Sequence, residues 1–467
     1  MSKKSIASFL VITLVFWNTV VCAQQKSLNR VVSERFIARI DMSSLIMESM
    51  RVSPDNKRLA YVTAVDRKLS AVVDGKEQKL YDDIGPLIFS PDSKRLAYLA
   101  KAGNKWFVVI DGKEEKAYDG ISGSTIVFSP DSKSITFVAQ KRNKQFVVVD
   151  GKEQMQCDLT LGKTPIFSPD SKRLAYGAKV GNRWFMVVDG KKEKSYDGIA
   201  GGTPIFSPDS KRLAYVAQVG NKQFVVVDGK EQKQYDATLG NTPIFSPDSR
   251  RLVYGARLDN KYFMVVDEKE EKPYHLSGGT PLFSPDSKRL AYVALAGNKQ
   301  FVIVDGKEQK VYDLILYDSP IIFSLDSRRI AYGAKVGDSW FVVVDGKEQK
   351  KYDTIDDLLF SPDNKRLVYR AQVGNQQFVV IDGKEEVHYN FIASGTLTFS
   401  SDSKYLAYAA KVPLFMWWVV VINGNEGKSY TGILNIGGGK IVFEAADKFN
   451  YLVNKGSDIY LIEERIK

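Results

Sequence analysis

One short sequence motif is repeated about ten times in this chain of 467 residues. The run FSPDSKRLAYVA at 206–217 returns almost unchanged at 167–178 and again at 283–294. The aspartate of its Ser-Pro-Asp-like triplet recurs at intervals of 37 to 40 residues. It stands at Asp55, Asp92, Asp131, Asp170, Asp209, Asp248, Asp286, Asp326, Asp363 and Asp402. A period near forty residues is typical of repeat architectures, in which each unit packs against its neighbours.

Each unit has the length and the turn pattern of four short strands. In 203–241, runs rich in β-branched and aromatic residues occupy 204–206, 212–217, 223–228 and 231–236. Ser-Pro-Asp-Ser favours a type I turn, and the later Asp-Gly pair suits a tight hairpin. Gly, Pro or a turn cluster interrupts the unit too often for a helix. Four antiparallel strands in about forty residues predict one blade of a β-propeller.

The number of rings is left open by the number of units. Ten clear copies and a degenerate eleventh at 441–464 exceed the roughly four to eight blades of common propellers. The sequence therefore predicts an all-β propeller of ten to eleven four-stranded repeats, in two rings or in one large ring, with two rings favoured. The repeat array is assigned to 45–467, with 441–467 as its degenerate last unit. The segment 24–44 is a candidate for a ring-closing strand.

The repeated motif resembles the repeats of a known protein family. FSPDSKRLAY followed by a hydrophobic hairpin is similar to the WD-like β-propeller repeats of the TolB type, from the bacterial envelope, and to the propeller of prolyl-oligopeptidase relatives. The resemblance covers about residues 45–465. It departs from the family in having Ser or Asn, where Gly is usual, after the Asp, and in its regular FVVVDGKE hairpin. The resemblance implies a bacterial periplasmic or secreted propeller with TolB-like protein contacts.

The N-terminus has the features of a secretory signal. Lys3 and Lys4 precede an apolar stretch at 6–17, and Val-Cys-Ala at 21–23 fits a signal-peptidase site. We assign 1–23 to a signal peptide and predict a periplasmic or secreted protein without a membrane span after cleavage. An uncleaved anchor and lipidation at Cys22 are the alternatives.

Charge and cysteine content narrow the classes of partner. With two lysines and no acid in 1–23, the net charge falls from +11 to +9 after cleavage, and the signs alternate along the chain. An exported chain of this kind is not expected to bind nucleic acid. Cys157 is then the only cysteine, so no intramolecular disulfide is predicted. We interpret Cys157 as a buried substitute for the usual outer-strand Tyr, with a reactive thiol as the alternative.

Catalytic groups are scarce. His275 and His388 are the only histidines, too few for a histidine metal cluster, and no G-x-S-x-G motif is present. The recurring aspartates fit turn building better than calcium binding, because one carboxylate per turn is too few ligands. We therefore predict no catalytic residue, no metal site and no cofactor, and we predict that the protein is not an enzyme.

Two sequence features are candidates for a function beyond holding the repeats together. In a propeller, the SPDSKR and DGKE turns share one rim. This rim is either an ordinary charged surface or a docking face for an anionic envelope polymer, such as an acidic polysaccharide, or for an acidic protein. The hairpin KVPLFMWWVVVING at 411–424 replaces the usual polar tip with apolar residues. Its new residues Leu414, Phe415 and Met416 are candidates for protein interaction, or for packing on a neighbouring segment.

The predicted function is a non-catalytic scaffold for protein–protein interaction in the cell envelope, with glycan or envelope-polymer binding as the alternative.

Overall fold

The computed structural model describes residues 28–467 except 163–164, 201, 203, 240–242, 277–279, 317–320, 413–416 and 436. The predicted signal 1–23 and the candidate residues Leu414, Phe415 and Met416 lie outside the described residues. The described chain is all β and contains no helix, so no helix of it could cross a membrane. Its strands form eleven separate antiparallel sheets.

The first five sheets follow each other along the chain. Blade 1 contains β2 (Leu45–Val52), β3 (Leu59–Val65), β4 (Lys68–Val73) and β5 (Lys76–Tyr81), and β1 (Arg30–Arg39) precedes it. Blade 2 contains β6 (Asp83–Phe89), β7 (Leu96–Ala102), β8 (Lys105–Ile110) and β9 (Lys113–Glu114). Blade 3 contains β10 (Gly120–Phe128), β11 (Ile135–Lys141), β12 (Lys144–Val149) and β13 (Lys152–Cys157). Blade 4 contains β14 (Leu159–Thr160), β15 (Ile166–Phe167), β16 (Leu174–Val180), β17 (Arg183–Val188) and β18 (Lys191–Tyr196). Blade 5 contains β19 (Gly198–Ile199), β20 (Ile205–Phe206), β21 (Leu213–Val219), β22 (Lys222–Val227) and β23 (Lys230–Glu231).

The next three sheets repeat the pattern of blades 4 and 5. Blade 6 contains β24 (Ala237–Thr238), β25 (Ile244–Phe245), β26 (Leu252–Leu258), β27 (Lys261–Val266) and β28 (Lys269–Glu270). Blade 7 contains β29 (His275–Leu276), β30 (Leu282–Phe283), β31 (Leu290–Ala296), β32 (Lys299–Val304) and β33 (Lys307–Tyr312). Blade 8 contains β34 (Leu314–Ile315), β35 (Ile322–Phe323), β36 (Ile330–Val336), β37 (Ser339–Val344) and β38 (Lys347–Glu348).

The last three sheets include the one that joins both ends of the described chain. Blade 9 contains β39 (Thr354–Phe360), β40 (Leu367–Val373), β41 (Gln376–Ile381) and β42 (Lys384–Glu385). Blade 10 contains β43 (Phe391–Ile392), β44 (Thr398–Phe399), β45 (Leu406–Lys411), β46 (Trp418–Ile422) and β47 (Asn425–Glu426). Blade 11 contains β48 (Gly432–Ile433), β49 (Val442–Ala445), β50 (Lys448–Lys455) and β51 (Asp458–Ile466), with β1 as its outer strand.

The Ser-Pro-Asp-Ser turn folds through its own side chains. In blade 5, Ser207 Oγ donates a hydrogen bond to Asp209 Oδ1 at 2.6 Å, and the backbone N–H of Lys211 donates to the same oxygen at 3.1 Å. The backbone N–H of Arg212 donates to Ser207 Oγ at 2.9 Å. These bonds satisfy the turn's polar groups locally, so each copy forms the same corner between the inner strand of its blade and the next strand.

The blades form a single ring. Eleven apolar clusters each join two consecutive blades, and the eleventh joins blade 11 to blade 1. In that last cluster Leu452 and Leu461 of blade 11 pack with Leu59 and Tyr61 of blade 1. The predicted all-β fold of ten to eleven four-stranded repeats is confirmed, and the favoured arrangement in two rings is wrong. No blade face is left to close a smaller ring, because every seam is buried in the same way.

The N-terminal strand completes the last blade. β1 pairs antiparallel with β51, from Arg30 opposite Ile466 to Arg39 opposite Asp458, with a bulge between Phe36 and Ala38. The first strands of adjacent blades also contact each other, as β2 contacts β6 and β6 contacts β10, which places them nearest the ring axis. The strands that end each sheet, including β1, therefore form the outer circumference.

Candidate binding surfaces

The rim that carries the SPDSKR and DGKE turns uses most of its charges to join blades. Arg212 Nε donates to Asp228 Oδ2 of its own blade at 3.2 Å. Its Nη1 donates to two backbone oxygens of blade 6, and its guanidinium lies 5.1 Å from the centre of the Phe245 ring. The same contact with the phenylalanine of the next blade is made by Arg58, Arg95, Arg173, Arg251, Arg289, Arg329 and Arg366. These arginines therefore serve as structural clamps.

The unusual Ser or Asn of the turn also joins blades. The backbone N–H of Asp209 donates to Ser249 Oγ of the next blade at 2.9 Å, although Ser249 has a φ of 66° that glycine would adopt more easily. The equivalent pairs are Asp55–Ser93, Asp92–Ser132, Asp131–Ser171, Asp170–Ser210, Asp248–Ser287, Asp286–Ser327, Asp326–Asn364 and Asp363–Ser403. The departure from the family pattern is thus a seam contact.

One cation in most of these turns projects into solvent. Its side chain is 82% exposed in Lys94 and Lys211 and 86% exposed in Arg328. The other exposed members are Lys133, Lys172, Arg250, Lys288, Lys365 and Lys404. We call these nine residues the turn cations. Each follows an Asp whose carboxylate is held by the turn, so positive groups reach further from the surface than negative groups.

The opposite rim is closed by the Tyr-Asp pairs. Asp236 Oδ1 accepts a hydrogen bond from Lys222 Nζ at 2.6 Å, and its Oδ2 accepts one from the backbone N–H of Asp259 in the next blade at 2.9 Å. These contacts, led by the Lys222 bond, lower the pKa of Asp236. On the circumference, Lys233 Nζ bonds Glu270 of the next blade at 2.8 Å. Charged residues thus hold the seam between blades 5 and 6 on both rims and on the circumference.

The closing seam between blades 11 and 1 lacks this capping contact. Asp41 takes the place of the Tyr-Asp aspartate, but it accepts hydrogen bonds from Ser43 and Ser44 of its own loop. A cavity of about 200 Å³ opens on this rim. Its lining residues are Ile40, Met42, Leu45, Met47, Met50, Ile433, Leu434, Asn435, Asn454, Gly456, Ser457 and Ile459. We call it the seam pocket.

A cluster of charged residues on blade 9 was missed in the sequence. Arg370 bonds Asp356 at 2.6 Å and Asp357 at 3.1 Å, with its side chain only 12% exposed. Gly395 of blade 10 also donates its backbone N–H to the Asp357 carboxylate. The signal was present, because Arg370 follows the Tyr of the second strand, where the other copies have an apolar residue or Gly. The cluster ties the inner strand of blade 9 to blade 10.

The residues considered for chemistry lie apart from one another. His388 stacks on Phe378 of its own blade with ring centres 4.2 Å apart, whereas His275, on β29 of blade 7, contacts Tyr262 of blade 6. Cys157 is 1% exposed at the end of β13, and burial raises the pKa of its thiol to about 11. Within the described ranges, no three His, Cys, Asp or Glu side chains are grouped to hold a metal ion.

Eleven four-stranded blades in one ring define the protein as a β-propeller. No protein-family model matches the chain, and no curated protein matches its sequence. It is similar to TolB from Acinetobacter baumannii, at 20% identity over 56% of this chain and 66% of that one, with a TM-score of 0.23. The Dos1 propeller matches at 13% identity over 64% and 92%, with a TM-score of 0.31. The dihydro-heme d1 dehydrogenase NirN matches at 12% over 76% and 77%, also at 0.31. Similarities this weak carry no argument about function.

Proposed function

We propose that this protein is an exported, non-catalytic scaffold that mediates protein–protein interaction in the cell envelope. The observation that carries the proposal is the seam pocket, an apolar recess at the point where the ring closes. Export rests on the predicted signal at 1–23, and the envelope setting rests on the resemblance of the repeats to those of the TolB type. Leu414, Phe415 and Met416 remain a proposed second contact, on the sequence of their hairpin.

The chemistry of the seam pocket suits an apolar side chain from a protein partner. Met42 is 60% exposed and Met47 is 43% exposed, so two flexible thioether side chains stand at its mouth. Methionine adapts to partners of different shape, and an apolar patch with a polar margin is typical of a protein contact site. Asn435 and Asn454 supply such a margin.

The proposal of a non-catalytic protein is supported by the structural roles of the charged side chains. The arginines and aspartates of the repeats hold turns and seams, and His275 and His388 lie on different blades. Acid–base catalysis needs titratable groups that converge on one substrate position. A propeller can host enzymes as well as binding proteins, so the proposal rests on this arrangement and not on the fold.

The test is capture of envelope proteins on immobilised protein with matched variants. Met42→Lys puts a charge at the pocket mouth and should reduce recovery of a specific partner about tenfold. Leu325→Lys is the control, because Leu325 is 61% exposed on the opposite rim. The Leu414/Phe415/Met416 triple alanine variant tests the hairpin. Equal capture by wild type, Met42→Lys and the triple variant, all with unchanged thermal unfolding, would refute the proposal.

Binding of an acidic polysaccharide by the turn cations is the second candidate. It is favoured by the nine exposed side chains that recur from blade to blade on one rim. Retention on an acidic polysaccharide column should then fall when Lys133, Lys172 and Lys211 are changed to Glu. It should also fall at about 0.5 M salt, where exposed charges are screened over a few ångströms. If retention is unchanged both in the Glu variant and at high salt, this candidate function is excluded.

A further inference from the structure

The outer edge of β1 differs from the outer edge of every other blade. β1 has 10 residues, whereas the outer strands of blades 1 to 10 have 2 or 6. β51 occupies one edge of β1, and no other described strand pairs with its second edge. A long edge strand presents a row of backbone donors and acceptors that can pair with another strand.

Side chains protect the other edges and leave this one open. The outer strands of the repeats read Lys-Glu-Gln-Lys or similar, and charges of this kind discourage strand pairing. β1 instead exposes Val31 at 45%, Val32 at 37% and Phe36 at 52%. From Arg30 to Phe36 it pairs with β51 without interruption, and the bulge follows only after Phe36. The exposed edge is therefore regular over seven residues.

We propose that β1 pairs antiparallel with β1 of a second copy of this chain, so that two rings join edge to edge. A two-fold axis through Ser33, the centre of the regular segment 30–36, places Ser33 opposite Ser33 and Val32 opposite Glu34. Val31 then lies opposite Arg35, and Arg30 lies opposite Phe36. Opposed side chains share one face of the ladder, Val32 and Phe36 of the two copies are diagonal neighbours, and no two like charges are directly opposed.

Neighbouring registers are less favourable, which gives the pairing a defined alignment. An axis through Glu34 places Glu34 opposite Glu34 and carries the ladder into the bulge after Phe36, whereas an axis through Val32 leaves Arg35 and Phe36 opposite residues that precede β1. Like charges directly opposite each other destabilise a strand pair.

The decisive measurement is sedimentation velocity of the purified protein across concentration. Wild type should be a dimer at about 100 µM and dissociate on dilution. Val31→Lys and Phe36→Lys should each weaken dimerisation at least about tenfold, because the introduced lysine lies opposite Arg35 or Arg30 of the second copy, respectively. Val311→Lys is the matched control, since Val311 is 44% exposed on the outer strand of blade 7, and it should leave the dimer intact.

Three results would overturn the inference. These are a monomeric wild type at about 100 µM, a dimer that survives both β1 variants, and a dimer lost equally in Val311→Lys. Circular dichroism and thermal unfolding establish that the variants are folded, and the two β1 positions give independent readings. The edge of β1 is a different surface from the seam pocket. Partner capture through Met42 can therefore persist when dimerisation fails, and dimerisation can persist when partner capture fails.

Discussion

At the scale of single residues, Ser249 shows how one side chain adds to the seam while its backbone is strained. Its φ of 66° lies in the left-handed region, where residues with a Cβ are disfavoured by roughly 1–2 kcal/mol. Its hydroxyl accepts the backbone N–H of Asp209 across the seam, and such a bond contributes about 0.5–1.5 kcal/mol. The two terms are similar in size, so a serine is tolerated where glycine would relax the turn.

Two substitutions at this position separate these terms. Ser249→Ala keeps the strain and removes the acceptor, so the free energy of unfolding should fall by about 1–2 kcal/mol. Ser249→Gly removes both the strain and the acceptor, so its effect should be close to zero. Urea unfolding followed by tryptophan fluorescence measures both changes. If alanine and glycine are equally harmful, the hydroxyl bond dominates and the backbone strain is small.

At the scale of elements, β1 is held by a buried ion pair. Arg30 Nε donates to Glu464 Oε2 at 2.5 Å, and these side chains are 7% and 0% exposed. Arg30 Nη1 also donates to the Val420 oxygen of blade 10, and the Tyr451 hydroxyl donates to Glu464. Gly427 makes room for this guanidinium, because a Cβ there would lie 2.6 Å from Arg30 Nη1. The strand is thus tied to both blades of its seam.

Arg30→Ala should destabilise the ring far more than Arg39→Ala. Removal of Arg30 leaves Glu464 buried and uncompensated, which costs about 3–5 kcal/mol. Arg39, also on β1, pairs with Asp458 of β51 but is 75% exposed, so its loss should have little measurable effect. Chemical unfolding together with hydrogen exchange of the β1 amides tests this. Equal stability of the two variants would mean that backbone pairing alone holds the strand.

The sequence predicted the blade better than the closure or the sites. The Asp-Gly and Ser-Pro-Asp-Ser turns determine local geometry, so four strands per unit could be inferred from one copy. The choice of one ring depends on small angles between many blades, which no single turn encodes. The Arg370 cluster was visible only as an exception to the repeat. The hairpin residues 414–416 were predicted as a protein contact because they are apolar, and they lie outside the described residues.

At the scale of the whole molecule, acidic groups at every seam link stability to pH. The hydroxyl of Ser400, followed by the backbone N–H of Lys404, lowers the pKa of Asp402 to about 2. Lys141, followed by Lys116, lowers the pKa of Glu153 to about 2. Eight other turn aspartates, all except Asp55, have lowered pKa values for the same reason, led by the serine hydroxyl of the turn.

These shifts predict a stability that is flat above pH 5 and collapses in acid. A carboxyl with a lowered folded pKa stabilises the folded state above its unfolded pKa of about 4, and this contribution is lost as the pH falls toward 2. Because the repeat multiplies one turn around the ring, the losses should combine into one steep transition between about pH 4 and pH 2. Thermal unfolding midpoints measured from pH 8 to pH 2 test this. A decline that begins between pH 7 and pH 5 would contradict it.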